Sequence, residues 1–164
     1  MAIAGGEKVE KVIGRLLMKN GLALAVAESC TGGLIGDRIT DVPGSSRYFV
    51  GGVIAYSNGV KSKVLKVKPQ TLAKWGAVSE QVVREMAAGA CRRLKAQVGV
   101  AVSGVAGPGG GFKAKPVGFA YVCAMAGKRV MVERHLFRGG RRAVKEQSAE
   151  AALQLCRRML EDIS

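Results

Sequence analysis

Apolar and polar residues alternate along this chain in two rhythms, one helical and one strand-like. Residues 7–20, EKVEKVIGRLLMKN, place Val9, Val12, Ile13, Leu16 and Leu17 at helical spacing, and Asn20-Gly21 ends that run. The next stretch, LALAVAE, is a continuous apolar run that predicts a short buried strand ending at Glu28. Thr31-Gly32-Gly33 opens a second helix over LIGDRITDV, which stops near Pro43-Gly44. RYFVGGVIAYS predicts a second strand, with Gly51-Gly52 as a bulge or a point of close approach. NGVKSKVL and PQTLAKWG predict short helices or turns. Ser79-Glu80 starts a long helix whose stripe is Val82, Val83, Met86, Ala90 and Leu94. VGVAVSGVAG predicts a buried strand running into the loop GPGGGFKAKP. VGFAYVCAMAG and KRVMVERHLF predict two strands of a hairpin turning at Gly127-Lys128. RRAVKEQSAEAALQLCRRMLEDI predicts a long last helix, whose Ala151, Leu155 and Met159 suit either core or interface.

This order predicts an α/β fold: a three-layer α/β/α sandwich with a mixed, mostly parallel sheet of about five strands. Helical crossovers imply parallel pairs, and the hairpin implies an antiparallel one. Residues 1–164 are expected to form a single domain.

Composition adds little to that fold but limits the chemistry. Hydrophobic residues make up 48% and charged residues 23%, as in packed globular proteins. No apolar run approaches the ~20 residues of a membrane span, and the first residues lack a secretory pattern. A cytoplasmic protein is expected, with no membrane partner. The four cysteines (Cys30, Cys91, Cys123, Cys156) form no CxxC pair, and His135 is the single histidine. No metal and no other cofactor is expected.

The net charge of +14 points toward polyanions. The densest lysine cluster is Lys61, Lys63, Lys66 and Lys68. Aromatics are only 5%, none interleaves with those lysines, and no helix-turn-helix, zinc-finger or RNP pattern is present. A dedicated nucleic-acid partner is therefore not expected.

Three strand ends carry small and hydroxylated residues: AESCTGG (27–33), VIAYSNGVK (53–61) and VAVSGVAGPGGG (100–111). Open α/β sheets bind ligands beyond such ends. AESCTGG offers backbone amides at a helix start, suited to an oxyanion or a phosphate. It is not a Walker A loop, a GxGxxG turn or a GxSxG elbow. It holds two possible nucleophiles, Ser29 and Cys30. Neighbouring residues at a strand end point in opposite directions, so one of the two faces a given site. His135 reads as a surface or sheet-face histidine, which leaves a Ser-His-Asp triad unsupported. A neutral lysine can serve as base when burial lowers its pKa. Lys61 is placed for that role, with Tyr56 beside it to relay a proton or hold the geometry. Composition alone equally allows Lys61 to be a solvated charge. Lys113 and Lys115 follow the glycine loop and suit a phosphate. Ser45 and Ser46, in PGSS, supply hydroxyls or simply a turn.

AESCTGG, VPGSSRYFVGGVIAYSNGVK, GAVSEQVVREMAAGA, VAVSGVAGPGGG and KPVGFAYV occur here in that order. Together they closely resemble the CinA C-terminal domain family, over about residues 7–160. The resemblance implies the same three-layer fold. It also implies hydrolysis of the carboxamide of nicotinamide mononucleotide to nicotinate mononucleotide and ammonia, without a metal. It implies Ser29 as nucleophile and Lys61 with Tyr56 as the base machinery. The amides near Thr31, Gly32 and Gly33 are expected to hold the oxyanion. Ser45, Ser46, Asn58, Ser103, Gly104, Gly107, Lys115 and Arg141 complete the expected substrate-binding set. Arg141 matches an arginine common in the family, with no role attached.

Two departures stand out. The family loop commonly reads GPDGG, and Gly109 stands here in place of the aspartate, followed by a basic FKAKP segment. The N-terminal pyrophosphatase domain of longer family members is not in this sequence, so no such activity is expected. A homo-oligomer is expected. The alternative function is a non-catalytic, competence-associated module that binds nucleotides or nucleic acid.

Overall fold

A computed structural model describes residues 6–164. The sheet is built from β1 (Leu24–Glu28), β2 (Phe49–Ile54), β3 (Val98–Gly104), β4 (Phe119–Ala126) and β5 (Arg129–Leu136). Its order is β2-β1-β3-β4-β5. β1 pairs in parallel with β2 and β3, while β4 runs antiparallel to both β3 and β5. Four strands therefore point one way and β4 is reversed. The helices are α1 (Val9–Asn20), α2 (Leu34–Thr40), α3 (Asn58–Lys63), α4 (Pro69–Trp75), α5 (Glu80–Leu94) and α6 (Arg141–Asp162).

Every residue of β1 is buried, as the unbroken apolar run requires of a central strand. Alternation along β1 and β3 divides the core into two clusters. Leu24, Val26, Val98, Val100 and Val102 face α1, α2 and α6, while Ala25, Ala27 and Ala101 face α5 and the α3–α4 segment. The small residues on the second face let α5 approach closely. Gly99 makes room there, since a Cβ would lie 2.6 Å from the Cys91 sulfur and 2.8 Å from the Ala87 carbonyl oxygen.

Gly51-Gly52 is both a bulge and a close approach. The β1–β2 register slips between Leu24 and Ala25, leaving Val50 unmatched. A Cβ on Gly52 would meet the Val26 side chain at 2.4 Å. Gly127-Lys128 makes the hairpin turn, with Gly127 left-handed at φ 59°. On α6, Leu155 and Met159 are fully buried against the sheet, so that stripe belongs to the core. β2 is shorter than expected, because the chain leaves the ladder after Ile54. The Ala55 amide still reaches the Glu28 carbonyl at 2.7 Å.

Candidate functional site

The turn after β1 begins with Ser29. Its amide donates to the Val102 carbonyl of β3 at 3.1 Å, which fixes the residue between two strand ends. Strand alternation puts Ser29 on the α5 face, with Glu28 and Cys30 on the other. Facing Ser29 is α3. The Ser57 side chain accepts from the Val60 amide at 3.2 Å and caps that helix. The cap fixes the helix start, and Lys61 projects inward one turn later.

Lys61 is the one lysine of its cluster that is not solvated. It is only 1% exposed, whereas Lys63, Lys66 and Lys68 are exposed. Its Nζ lies 3.1 Å from Ser29 Oγ, 2.8 Å from the Ala55 carbonyl and 3.3 Å from the Tyr56 carbonyl. Burial pushes the ammonium below the ordinary lysine range, and a Coulombic contribution from Cys30 opposes this only in part. Among the described residues no carboxylate contacts the amine.

Ser29 and Lys61 open into a cavity of about 270 Å³. Asn58, Ser103, Gly104 and Gly107 line it, as do Tyr56 and Arg141. Arg141 is the first residue of α6. Its guanidinium donates to the Gly107 carbonyl at 2.6 Å and to the Tyr56 hydroxyl at 3.0 Å. Ser103 Oγ donates to the Ala77 carbonyl at 2.8 Å, tying β3 to the α4–α5 connection. Lys61 and Arg141 are the charged residues of the lining, which contains no acid.

Several expected residues lie elsewhere. In the Thr31-Gly32-Gly33 turn the Thr31 hydroxyl and the Gly32 and Gly33 amides are already engaged. One oxygen of Glu28 accepts from the Thr31 hydroxyl and from the Gly33 and Ile35 amides, both at 3.1 Å. The other oxygen accepts from the Gly36 amide at 2.9 Å. The Gly32 amide donates to the Ser29 carbonyl at 3.1 Å. The start of α2 is thus capped by a buried carboxylate on the far face of the sheet, which takes the Gly33 amide away from an oxyanion at Ser29. Ser45 and Ser46 sit in a short 3-10 turn at the entry to β2. That end of the strand is about 20 Å from Tyr56 at ~3.3 Å per residue. Lys115 donates to the Trp75 carbonyl at 2.7 Å and does not line the cavity. The Tyr56 hydroxyl bonds Arg141 rather than Lys61, so Tyr56 meets the lysine only through its backbone.

Cys30 belongs to the apolar cluster of the α6 face and is 5% exposed. Burial pushes its thiol up to about 11, the reverse of a reactive thiolate. His135, on edge strand β5, pairs with Glu133 at 3.1 Å and stacks on Phe137.

Sequence reasoning missed two features. One is Glu28, whose signal is an acid closing an apolar strand just before a helix start. The other is the set of amides of Cys30, Ala106 and Gly107. These residues line the cavity, and their amides donate to no carbonyl.

The profile of the CinA C-terminal domain matches residues 6–160. This chain belongs to the CinA C-terminal domain family. A CinA-like protein of Thermotoga neapolitana is 46% identical over 156 residues, covering 95% of this chain and 38% of the relative. The chain thus spans under two fifths of such CinA relatives. The crystal structure of a CinA superfamily protein from Enterobacter cloacae superposes with a TM-score of 0.90 at 31% identity, covering 98% of each chain. That of the competence/damage inducible protein CihA from Agrobacterium tumefaciens gives 0.87 at 36% identity, covering 98% of this chain and 99% of the other.

Proposed function

We propose that this domain is an amidohydrolase acting on the carboxamide of nicotinamide mononucleotide, with Ser29 as nucleophile and Lys61 as base. The observation that carries the reading is a buried amine, free of any carboxylate, within hydrogen-bond distance of a serine hydroxyl. A neutral lysine has two N–H bonds and one lone pair. The Ala55 and Tyr56 carbonyls take the two N–H bonds. The lone pair is then left for the Ser29 hydroxyl proton.

The chemistry runs in two halves. Lys61 takes the Ser29 proton as Oγ attacks the carboxamide carbon. The amides of Cys30, Ala106 and Gly107 hold the oxyanion, in place of the Thr31-Gly32-Gly33 turn. Lys61 then protonates the departing nitrogen, and ammonia leaves. Water enters, gives a proton to Lys61 and attacks the acyl carbon; Lys61 returns that proton to the departing Ser29 Oγ, and nicotinate mononucleotide is released. Arg141 holds Tyr56 and the glycine loop as the cavity wall. The acid-free lining with the Arg141 guanidinium suits a substrate carrying a phosphate.

The test is ammonia release from nicotinamide mononucleotide by the purified protein. Turnover that is lost in Ser29→Ala and kept in Cys30→Ala is expected. No ammonia from the wild type would end the reading, and loss in Cys30→Ala alone would move the nucleophile.

A further inference from the structure

Three of the eight aromatic residues are exposed, and the fold gathers all three around one opening. Tyr56 is 60% exposed, Trp75 44% and Phe112 61%. Tyr56 lines the Ser29 cavity. Trp75 ends α4, two residues before Ala77 on the cavity wall, and Phe112 follows Gly110 on the opposite wall. One lysine connects the outer two. Lys115 donates to the Trp75 carbonyl at 2.7 Å and exchanges backbone bonds with Phe112 at 3.0 and 3.1 Å. Lys74 lies 4.9 Å from the Trp75 ring centre. Lys113 is exposed beside Phe112.

The cavity lining contains no acid, while on α5 Glu85 is bonded to the Lys68 amide and Thr71 hydroxyl and Glu80 pairs with Arg84. The α3–α4 segment and the glycine loop lie within residues 42–79 and 86–132, and neither stretch contains an aspartate or glutamate. In sequence the pairs Lys74-Trp75 and Phe112-Lys113 lie far apart. In space they form a rim of flat rings and ammonium groups. Trp75 and Phe112 stand outside the cavity lining.

Rings meet the faces of unstacked bases, and ammonium groups meet phosphates. A duplex hides its base faces, and this rim offers no helix or ribbon to enter a groove. We infer that the rim binds single-stranded nucleic acid. Trp75 and Phe112 stack on bases, while Lys74, Lys113 and Lys115 track the backbone. This inference is independent of the amidase reading.

Trp75 is the only tryptophan, so its fluorescence reports directly on the rim. The protein is titrated with an oligothymidylate of about 15 nucleotides, near the upper site size for such surfaces. Parallel titrations use thymidine monophosphate, the matching duplex and inorganic polyphosphate of equal charge. The oligothymidylate should quench Trp75 and bind at least about tenfold more tightly than the other three. With a labelled strand, Trp75→Ala and Phe112→Ala should each weaken binding about tenfold without changing its salt slope. Lys113→Ala should reduce that slope by about 0.7. Circular dichroism checks that these surface variants fold. Equal affinity for polyphosphate, tighter binding of duplex, or wild-type affinity in both aromatic variants would overturn the inference.

Discussion

Glu28 and Ser29 are neighbours, yet they lead opposite chemical lives. Glu28 faces α2, and its two carboxylate oxygens accept four hydrogen bonds from the next turn. Ser29 faces α3 and shares one buried amine with two carbonyls. One side of the strand end is saturated and the other is poised. A peptide pleat separates them, so polar groups on consecutive residues belong to a brace and to a reaction centre. The lesson is that amides at a helix start are a resource that an adjacent carboxylate can use up first.

Substitution should pull the two sides apart. The largest effect is expected on the poised side. Ser29→Ala and Lys61→Met should each lower turnover of nicotinamide mononucleotide by roughly 10³-fold, measured as ammonia released. Lys61→Arg should be as poor, because a guanidinium does not give up its proton. Thermal unfolding of Ser29→Ala should stay near wild type. A catalytic loss explained by unfolding would erase the contrast.

Next comes the brace. Glu28→Gln replaces one acceptor oxygen with an NH₂ group facing amide donors. It should cost about 1–3 kcal/mol in urea unfolding, through unsatisfied amides at the start of α2. A neutral result would mean that the turn holds itself.

The third effect is on pH. Turnover needs the neutral amine, so it should rise with pH through the lowered Lys61 pKa and level off below the ordinary lysine value of about 10.4. Stability carries the same sign. Between the folded and unfolded pKa values the unfolded chain binds more protons, so stability rises with pH there. The stability of wild type relative to Lys61→Met should climb over that window. A flat difference would mean that Lys61 stays charged in the fold.

The smallest effect is at Gly109. Its φ is not left-handed, and a Cβ there meets nothing within 4 Å. Gly109→Asp should therefore leave stability within about 0.5 kcal/mol. It adds a negative charge to the cavity wall, so KM for the phosphate-bearing substrate should rise more than kcat falls. An unchanged KM would remove the loop from substrate contact.

Much of this was legible in the residues themselves. The apolar runs located β1 and β3, and the hairpin at Gly127-Lys128 followed from its turn chemistry. Ser29 and Lys61 were nameable because both follow strand ends of one parallel pair. What failed needed three dimensions. Ser45 and Ser46 read like site residues but lie at the wrong end of β2, since sequence does not say which end of a strand faces the ligand. The Gly32 and Gly33 amides read as free because nothing local reveals that the first turns back on the Ser29 carbonyl and the second is taken by Glu28. Lys115 read as a phosphate contact, yet its reach is set by where α4 ends. The lysine cluster looked uniform, and only packing against Ser29 distinguishes Lys61 from its exposed neighbours.

Arg141 has a consequence in time as well as in space. The cavity wall is closed by the first residue of α6, which bonds Gly107 and Tyr56. Both nucleophile and base are translated more than 75 residues earlier. A nascent chain that has emerged only through β5 holds all five strands, with one face of the sheet covered by α1 and α2 but not by α6. Such a chain exposes the apolar surface that α6 covers, is open to aggregation and lacks a finished pocket. Stalled chains ending before Arg141 should need a chaperone to stay dispersed, and chains carried past α6 should not. Activity would then arrive in a single step, as the last helix docks.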